Sequence, residues 1–335
     1  MNWGIIGLGH MAKNFANSIR ELENSNLTGV SSRSFFKLIK FSYKYKLNPK
    51  YLFKDYEKLL LSKEIENIYI GTLNHTHFEL IKKCLDANKN ILCEKPLTIN
   101  LKQALEVKKK LSSVDVFFLE AIAYRSLPQI NYVIKLINEN KIGKVKKIES
   151  CFGFNAGVPN RKGRLFNKEL GGGSILDLGC YPVSMSNLIA NLNNKNENVP
   201  KISNIKGKIF DTGVDTEAEA KLEYNNGIIS KVKVSILENL KNITKIIGTE
   251  GSIKIIDPWL PKKENIIEIN KNGNIQKLKI SNNISLFAGQ IEIFEKIVKN
   301  RKLESDFHTM TIENSINCMD VMMRWKENLI SNENY

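Results

Sequence analysis

The chain has 335 residues, 42% hydrophobic and 25% charged, the balance of a soluble globular protein of about two domains; a disordered, collagen-like or coiled-coil chain is excluded. No window reaches ~18 uninterrupted apolar residues, and Met1–Gly7 lacks the basic and apolar regions of a signal peptide, so neither a membrane span nor export is expected and the reading is cytoplasmic. Lys and Arg number 50 against 35 acids, a net +15, yet only seven are Arg and the lysines run along the whole chain beside abundant Asn and Ile, which reads as AT-rich codon bias and not as a nucleic-acid surface.

In chain order, Trp3–Ile6 reads as a buried strand followed by a helix over Met11–Leu22. Leu27–Ser31 is the second strand, and a Lys- and aromatic-rich helix covers Phe35–Tyr45. Asp55–Leu61 is a short helix with Asp55 as its cap. Asn67–Ile70 and Asn90–Cys93 are strands flanking a helix over His75–Ala87. Leu101–Leu111 is a helix and Val116–Leu119 a sixth strand. This alternation predicts a parallel α/β sheet. After residue 121 the pattern changes: helix Pro128–Asn140, strand Val145–Phe154, a Gly/Arg-rich loop, helix Ser174–Ala190, then a polar turn-like tract over Asn191–Asn198. Ile202–Ile280 alternates in strand fashion, with hairpin signals at Asn226-Gly227 and Asn272-Gly273. Helices over Leu286–Asn300 and Thr311–Leu329 close the chain. The five cysteines (Cys84, Cys93, Cys151, Cys180, Cys318) form no C-x-x-C and are an odd number, so reduced thiols are expected, not a disulfide framework or zinc site.

Gly7-Leu8-Gly9-His10-Met11-Ala12 spells G-x-G-x-x-A directly after the first strand and opens a helix. The first Gly permits the tight turn, the second lets a pyrophosphate approach the backbone, and Ala12 stands where helix packs on strand. Helix N-terminal amides then hold the phosphates. At the end of the second strand, where NAD binding usually places an acid on the ribose hydroxyls, the chain reads Ser31-Ser32-Arg33-Ser34. Ser32 and Ser34 can donate hydrogen bonds and Arg33 can fork onto a 2′-phosphate. NADP is favoured and NAD stays possible; the competing reading makes Arg33 a solvated loop residue. No metal is expected: His75 and His77 stand two apart without an acidic or thiol ligand nearby.

Thr72-Leu73-Asn74-His75-Thr76-His77 follows the fourth strand and Cys93-Glu94-Lys95-Pro96 the fifth. With Gly7–Ala12, these segments resemble the glucose–fructose oxidoreductase/inositol dehydrogenase (Gfo/Idh/MocA) family, marked at these places by G-x-G-x-x-[GA], T-x-N-x-x-H and E-K-P. Arg164–Gly173 leading into Asp177-Leu178-Gly179-Cys180-Tyr181 resembles its dihydrodiol dehydrogenase-like branch, and Gly248–Ser252 that branch's glycine-marked hairpin. The resemblance spans essentially the whole chain. It implies an α/β protein: an N-terminal Rossmann doubly wound parallel sheet over residues 1–121 that binds the dinucleotide, then an α+β domain with a largely antiparallel open sheet over 122–335 that binds substrate and oligomerises. It implies an NAD(P)-dependent oxidoreductase moving a hydride between nicotinamide and a secondary alcohol or its carbonyl, in a sugar-like or cyclic diol substrate. A homodimer or homotetramer is expected, with no nucleic-acid or membrane partner. Ile228, Val232, Val234 and Ile236 are the apolar side chains expected to supply the interface.

Lys95 lies just outside the carboxyl end of a parallel strand, where ligands of open α/β sheets bind. Its ammonium can touch nicotinamide ribose and a substrate oxygen and stabilise a developing alkoxide; the plain alternative is a surface lysine. The resemblance implies a cis bond at Pro96 and makes Glu94 a positioning partner, Asn74 a residue that orients backbone at the cofactor, and His77 a helix-start packing residue. Asp177 and Tyr181 are four apart on a predicted helix and share a face. A nearby ammonium and the cationic nicotinamide would favour phenolate, so Tyr181 can exchange a proton with substrate while Asp177 orients substrate or lysine. A Tyr packed at an interface is the alternative. Tyr124, Arg125 and Arg164 are candidates for substrate contact, each Arg equally readable as a structural salt bridge. A non-catalytic NAD(P)-binding regulator on the same fold is the competing functional class.

Overall fold

The computed structural model describes residues 1–192, 199–261, 264–303 and 308–333; of the turn-like tract over 191–198, residues 193–198 lie outside them. The chain divides into two compact units, Met1–Ser126 with Ile284–Glu313, and Leu127–Asn283 with Asn314–Tyr335. Where the sequence reading placed one boundary after residue 121, the first unit runs five residues further and takes back a C-terminal segment.

The first unit is built on β1 (Asn2–Ile6), β2 (Asn26–Ser31), β3 (Leu52–Phe53), β4 (Asn67–Ile70), β5 (Asn90–Cys93) and β6 (Phe118–Glu120), all parallel, in the order β3-β2-β1-β4-β5-β6. Strands buried on both faces explain the unbroken apolar runs of β1 and β4. The order reverses between β1 and β4, and the crevice at that switch point is where doubly wound sheets bind dinucleotides. Helices α1 (His10–Ser18), α2 (Phe35–Tyr45), α3 (Tyr56–Leu60), α4 (His77–Asp86) and α5 (Leu101–Leu111) connect the strands. The expected first helix is shorter, its last turn a 3₁₀ segment over Ile19–Glu21.

In the second unit, α6 (Pro128–Asn138) precedes β7 (Val145–Gly153), and α7 (Cys180–Ala190) precedes seven further strands. These are β8 (Lys201–Ile209), β9 (Asp215–Glu223), β10 (Ile229–Ser235), β11 (Ile243–Gly248), β12 (Ser252–Ile256), β13 (Glu264–Lys271) and β14 (Asn274–Ser281). The sheet runs β14-β13-β12-β11-β7-β10-β9-β8, antiparallel except where β7 meets β10. Both Asn-Gly signals close hairpins: Gly227 lies between β9 and β10, and Asn272 and Gly273, both at positive φ, between β13 and β14. Ile228, Val232, Val234 and Ile236 are at most 9% exposed, so they belong to the core face and not to an open interface. The opposite face carries Lys–Glu pairs such as Lys233–Glu217 and Lys254–Glu268. Alternation showed which residues share a face, not which face is covered.

Two helices end the chain, α8 (Leu286–Asn300) and α9 (Ile312–Glu333). α8 belongs to the first unit: Ile291, Phe294 and Ile297 join the core of Trp3, Phe15 and Tyr69. The Trp3 ring sits 5.1 Å from both Phe15 and Phe294, and its Nε1 donates to Glu295 Oε1 at 2.7 Å. Among the described residues no helix is long and apolar enough to cross a membrane.

Candidate active site

The glycine loop joins β1 to α1. Gly7 has φ +89°, and a Cβ there would lie 2.5 Å from Thr72 Cγ2. Gly9 differs: an added Cβ would meet only Gly71 O, at 3.7 Å, so protein packing does not demand glycine. α1 begins at this point with no side-chain cap and no acid in its first turn. An uncapped helix start beside space that a Cβ would fill is what a pyrophosphate needs, so these residues fit a nicotinamide dinucleotide. Within the motif, Leu8 and Ala12 are core residues, His10 is exposed and Met11 half-buried.

At the end of β2, Ser31 Oγ donates to Phe53 O at 2.9 Å and Ser32 N to the same oxygen at 3.1 Å. Ser32 Oγ accepts from Ser34 N, and Ser34 Oγ caps α2 by accepting from Lys37 N. Both hydroxyls therefore keep a proton to donate. Arg33 is exposed, its guanidinium 5.5 Å from the Tyr56 ring centroid, and no carboxylate pairs with it among the described residues.

The loops after β4 and β5 are tied together by His77. This buried first residue of α4 places Nδ1 2.9 Å from Pro96 O and Nε2 3.3 Å from Thr72 O. The packing residue implied by the family likeness thus also bridges the loop carrying Asn74 and the loop carrying Lys95. Thr72 and Thr76 hydroxyls meet at 2.7 Å, while Leu73 is exposed and Asn74 half-buried. Lys95 is half-buried and the Lys95–Pro96 bond is cis. Glu94 is buried and accepts from Tyr69 OH at 2.5 Å, which suits a positioning carboxylate. Glu120, at the end of β6, accepts from Leu97 N at 2.8 Å and anchors the same loop. Sequence reading passed over it; an acid inside an apolar strand was the available signal.

Burial pushes the His77 imidazole down to about 4, against the two carbonyls that favour its charged form. The folded state therefore refuses a proton that the unfolded chain accepts near pH 6.5. This contribution is complete above pH 6.5 and is lost as pH falls to about 4, up to about 3 kcal/mol. Urea midpoints from pH 7 to pH 4.5 should fall less steeply in His77→Gln than in the native chain; equal slopes would exclude the buried imidazole as the cause.

In the second unit, the expected helix over 174–190 is present without a break, but its first part is wider than an α-helix. Ile175–Gly179 is a π-turn and α7 starts at Cys180. Pro182, in the first turn of α7, has no N–H to give to Leu178 O, which removes one α-type bond at the junction. Such π-turns occur often at functional sites. Asp177 lies in the π-turn and Tyr181 just beyond it. Arg164 Nη1 donates to Asp177 Oδ1 at 2.7 Å, so the structural alternative for Arg164 is realised, with a candidate site residue as its partner. Tyr181 is 8% exposed. Its ring meets Phe152 edge-on at 5.0 Å and Trp259 at 5.8 Å, and Trp259 Nε1 donates to Cys151 O at 2.8 Å. Nothing in the local sequence singled out Trp259. Tyr124 and Arg125 belong to the first unit and are buried; Arg125 Nε donates to His308 O at 2.5 Å. Among the described residues no group of three or more His, Cys, Asp or Glu comes together to hold a metal. No disulfide joins the five cysteines, and burial raises the thiols of Cys84, Cys93 and Cys151.

Residues 1–121 match the oxidoreductase family with NAD-binding Rossmann fold, and residues 130–254 the GFO/IDH/MocA C-terminal domain. The chain belongs to the Gfo/Idh/MocA oxidoreductase family. A trans-1,2-dihydrobenzene-1,2-diol dehydrogenase of Danio rerio is 31% identical over 78% of this chain and 76% of its own. The human protein of that name is 28% identical over the same shares. Among solved structures, a tyrosine-to-phenylalanine mutant of the 3-ketoreductase KijD10 of Actinomadura kijaniata, in complex with TDP-benzene and NADP, superposes with a TM-score of 0.85. That superposition covers 96% of both chains at 19% identity. An aldose-aldose oxidoreductase of Caulobacter crescentus reaches 0.88, covering 99% of this chain and 98% of its own at 16% identity. This Gfo/Idh/MocA protein is an NAD(P)-dependent oxidoreductase acting on CH–OH groups.

Proposed function

We propose that the enzyme uses NADP(H) to interconvert a secondary alcohol and its carbonyl in a cyclic diol or a sugar-like ring. The dinucleotide, when bound, supplies or takes the hydride. Gly7, Gly9 and the start of α1 hold its phosphates, and Thr72, Asn74, Glu94 and His77 shape the loops around it. The observation that carries the chemical assignment is Tyr181: its ring is locked by Phe152 and Trp259 and its phenol follows the Asp177 turn. Tyr181 exchanges the proton with the substrate oxygen, Lys95 stabilises the alkoxide, and Asp177, fixed by Arg164, orients the substrate. The diol class is supported by the names of the relatives, and a screen of cyclic diols, inositols and sugars tests it: no turnover of any diol would remove it.

The NADP preference is supported by Ser32-Arg33-Ser34 with no acid at the end of β2. A charge-assisted fork from Arg33 should contribute about 1.5–3 kcal/mol, roughly ten- to a hundredfold in affinity. Arg33→Ala should therefore weaken NADP binding by that factor and leave NAD binding nearly unchanged; equal native affinities for both would contradict the preference. The same reading includes a homodimer or homotetramer, now through the ion-paired outer face of the second sheet. A monomeric mass in light scattering at micromolar concentration would oppose it.

A further inference from the structure

Asp215 opens β9 and is 1% exposed. Its Oδ2 accepts from Ser174 Oγ at 2.7 Å and from Ile175 N at 2.6 Å, at the point where the π-turn begins. Gly173 has φ +109°, and a Cβ there would lie 2.5 Å from Asp215 Oδ1; glycine is what lets the carboxylate reach the turn. Oδ1 has no hydrogen-bond partner among the described residues. Burial raises the carboxyl above its ordinary value, against the hydrogen bonds from Ser174 and Ile175 and, after them, the charge of half-buried Lys326 on α9. A carboxylate enclosed with one oxygen unsatisfied costs stability, so its place here is not explained by packing.

The turn it holds is an unfavoured one. π-geometry gives poorer helices than α and survives where both ends are constrained. Asp215 constrains the start, and Pro182 breaks the α-pattern at the end. Each helical residue accounts for about 100° of rotation. Relaxation of the π-turn to an α-turn would pass one residue along the helix and swing Asp177 by about that angle relative to Tyr181. The Arg164–Asp177 pair would go with it.

We propose that Asp215 is a positioning residue for the proton exchange: by clamping Ser174 and Ile175 it holds the π-turn and sets the direction of Asp177 relative to Tyr181. This rests on the reading of Tyr181 as the acid–base group.

The test compares Asp215→Ala, Asp215→Asn and Ser174→Ala in the full chain. Turnover is probed with trans-1,2-dihydrobenzene-1,2-diol and NADP, and amide hydrogen exchange over residues 174–181 is read independently of turnover. Asp215→Ala should lower kcat about 10- to 100-fold, with NADP affinity within about twofold of native. It should also raise the solvent deuterium isotope effect on kcat and speed exchange over 174–181. Asp215→Asn keeps an oxygen for both donors and should restore kcat to within about threefold. A loss of folded enzyme alone would scale kcat and leave the isotope effect where it was. Native-like kcat and unchanged exchange in Asp215→Ala overturn the proposal, as does an Asn variant no better than Ala. If Asp215→Ala does not fold, Ser174→Ala and Asp215→Asn decide; if the diol is not turned over, the exchange decides. Full turnover in Tyr181→Phe would remove the reading of Tyr181, whereas an inactive Tyr181→Phe beside an indifferent Asp215→Ala would remove the role of Asp215 alone.

Discussion

Tyr181→Phe should keep NADP(H) binding and lose about 10²–10⁴-fold in turnover, the usual contribution of a general acid–base group. The substitution removes only a hydroxyl. The ring contacts with Phe152 and Trp259 are made by carbon and stay in place, so the aromatic cluster and the start of α7 should survive. The cofactor loops lie in the first unit, whereas Tyr181 is in the second, so affinity for the dinucleotide should not follow turnover down. Thermal melting with and without NADP, alongside kcat, separates the two effects. Turnover within about threefold of native would mean that the phenol is not the proton carrier, since that lies well below the range for such groups.

Lys95→Met should cost about 10²–10³-fold in turnover, the typical loss when one donor to a developing oxyanion is removed. Methionine keeps much of the side-chain volume, and the loop around it is held by other groups: His77 on Pro96 O and Glu120 on Leu97 N. The backbone should therefore stay where it is while the charge goes. Some loss of cofactor affinity is also expected if the ammonium touches the ribose. In the double variant with Tyr181→Phe, the two losses should combine to less than their product if both groups serve the same proton transfer. Full additivity in the measured kcat values would make them independent.

The parts of this protein legible in its sequence are those encoded within a few residues. Gly7–Ala12 places a tight turn and a helix start in six positions, and the E-K-P and T-x-N-x-x-H segments mark strand ends in the same way. Asn272-Gly273 supplies the two positive φ values that its hairpin needs. Features set by distant partners were not legible. β3 has two residues and is held by its neighbour β2, so no apolar run announces it. α8 carries an ordinary amphipathic pattern, which does not say which unit it covers. The π-turn depends on Asp215, forty residues from Ile175, and a 3.6-residue pattern cannot show a wider turn. Trp259 reaches Cys151 O across the sheet, 108 residues away. Arg164 and Asp177 were each visible, but their pairing needed the fold of the loop between them.

Isotope transfer tests the central claim most directly. The native chain is incubated with NADPH carrying deuterium at the transferred C4 position and the carbonyl forms of cyclic diols, inositols and sugars, and the products are read by mass spectrometry. The account predicts one deuterium on the new carbinol carbon of a ring substrate, and loss of that label transfer in Tyr181→Phe. Tight NADPH binding with no labelled product from any of these classes would contradict it and leave the chain a cofactor-binding protein without this chemistry.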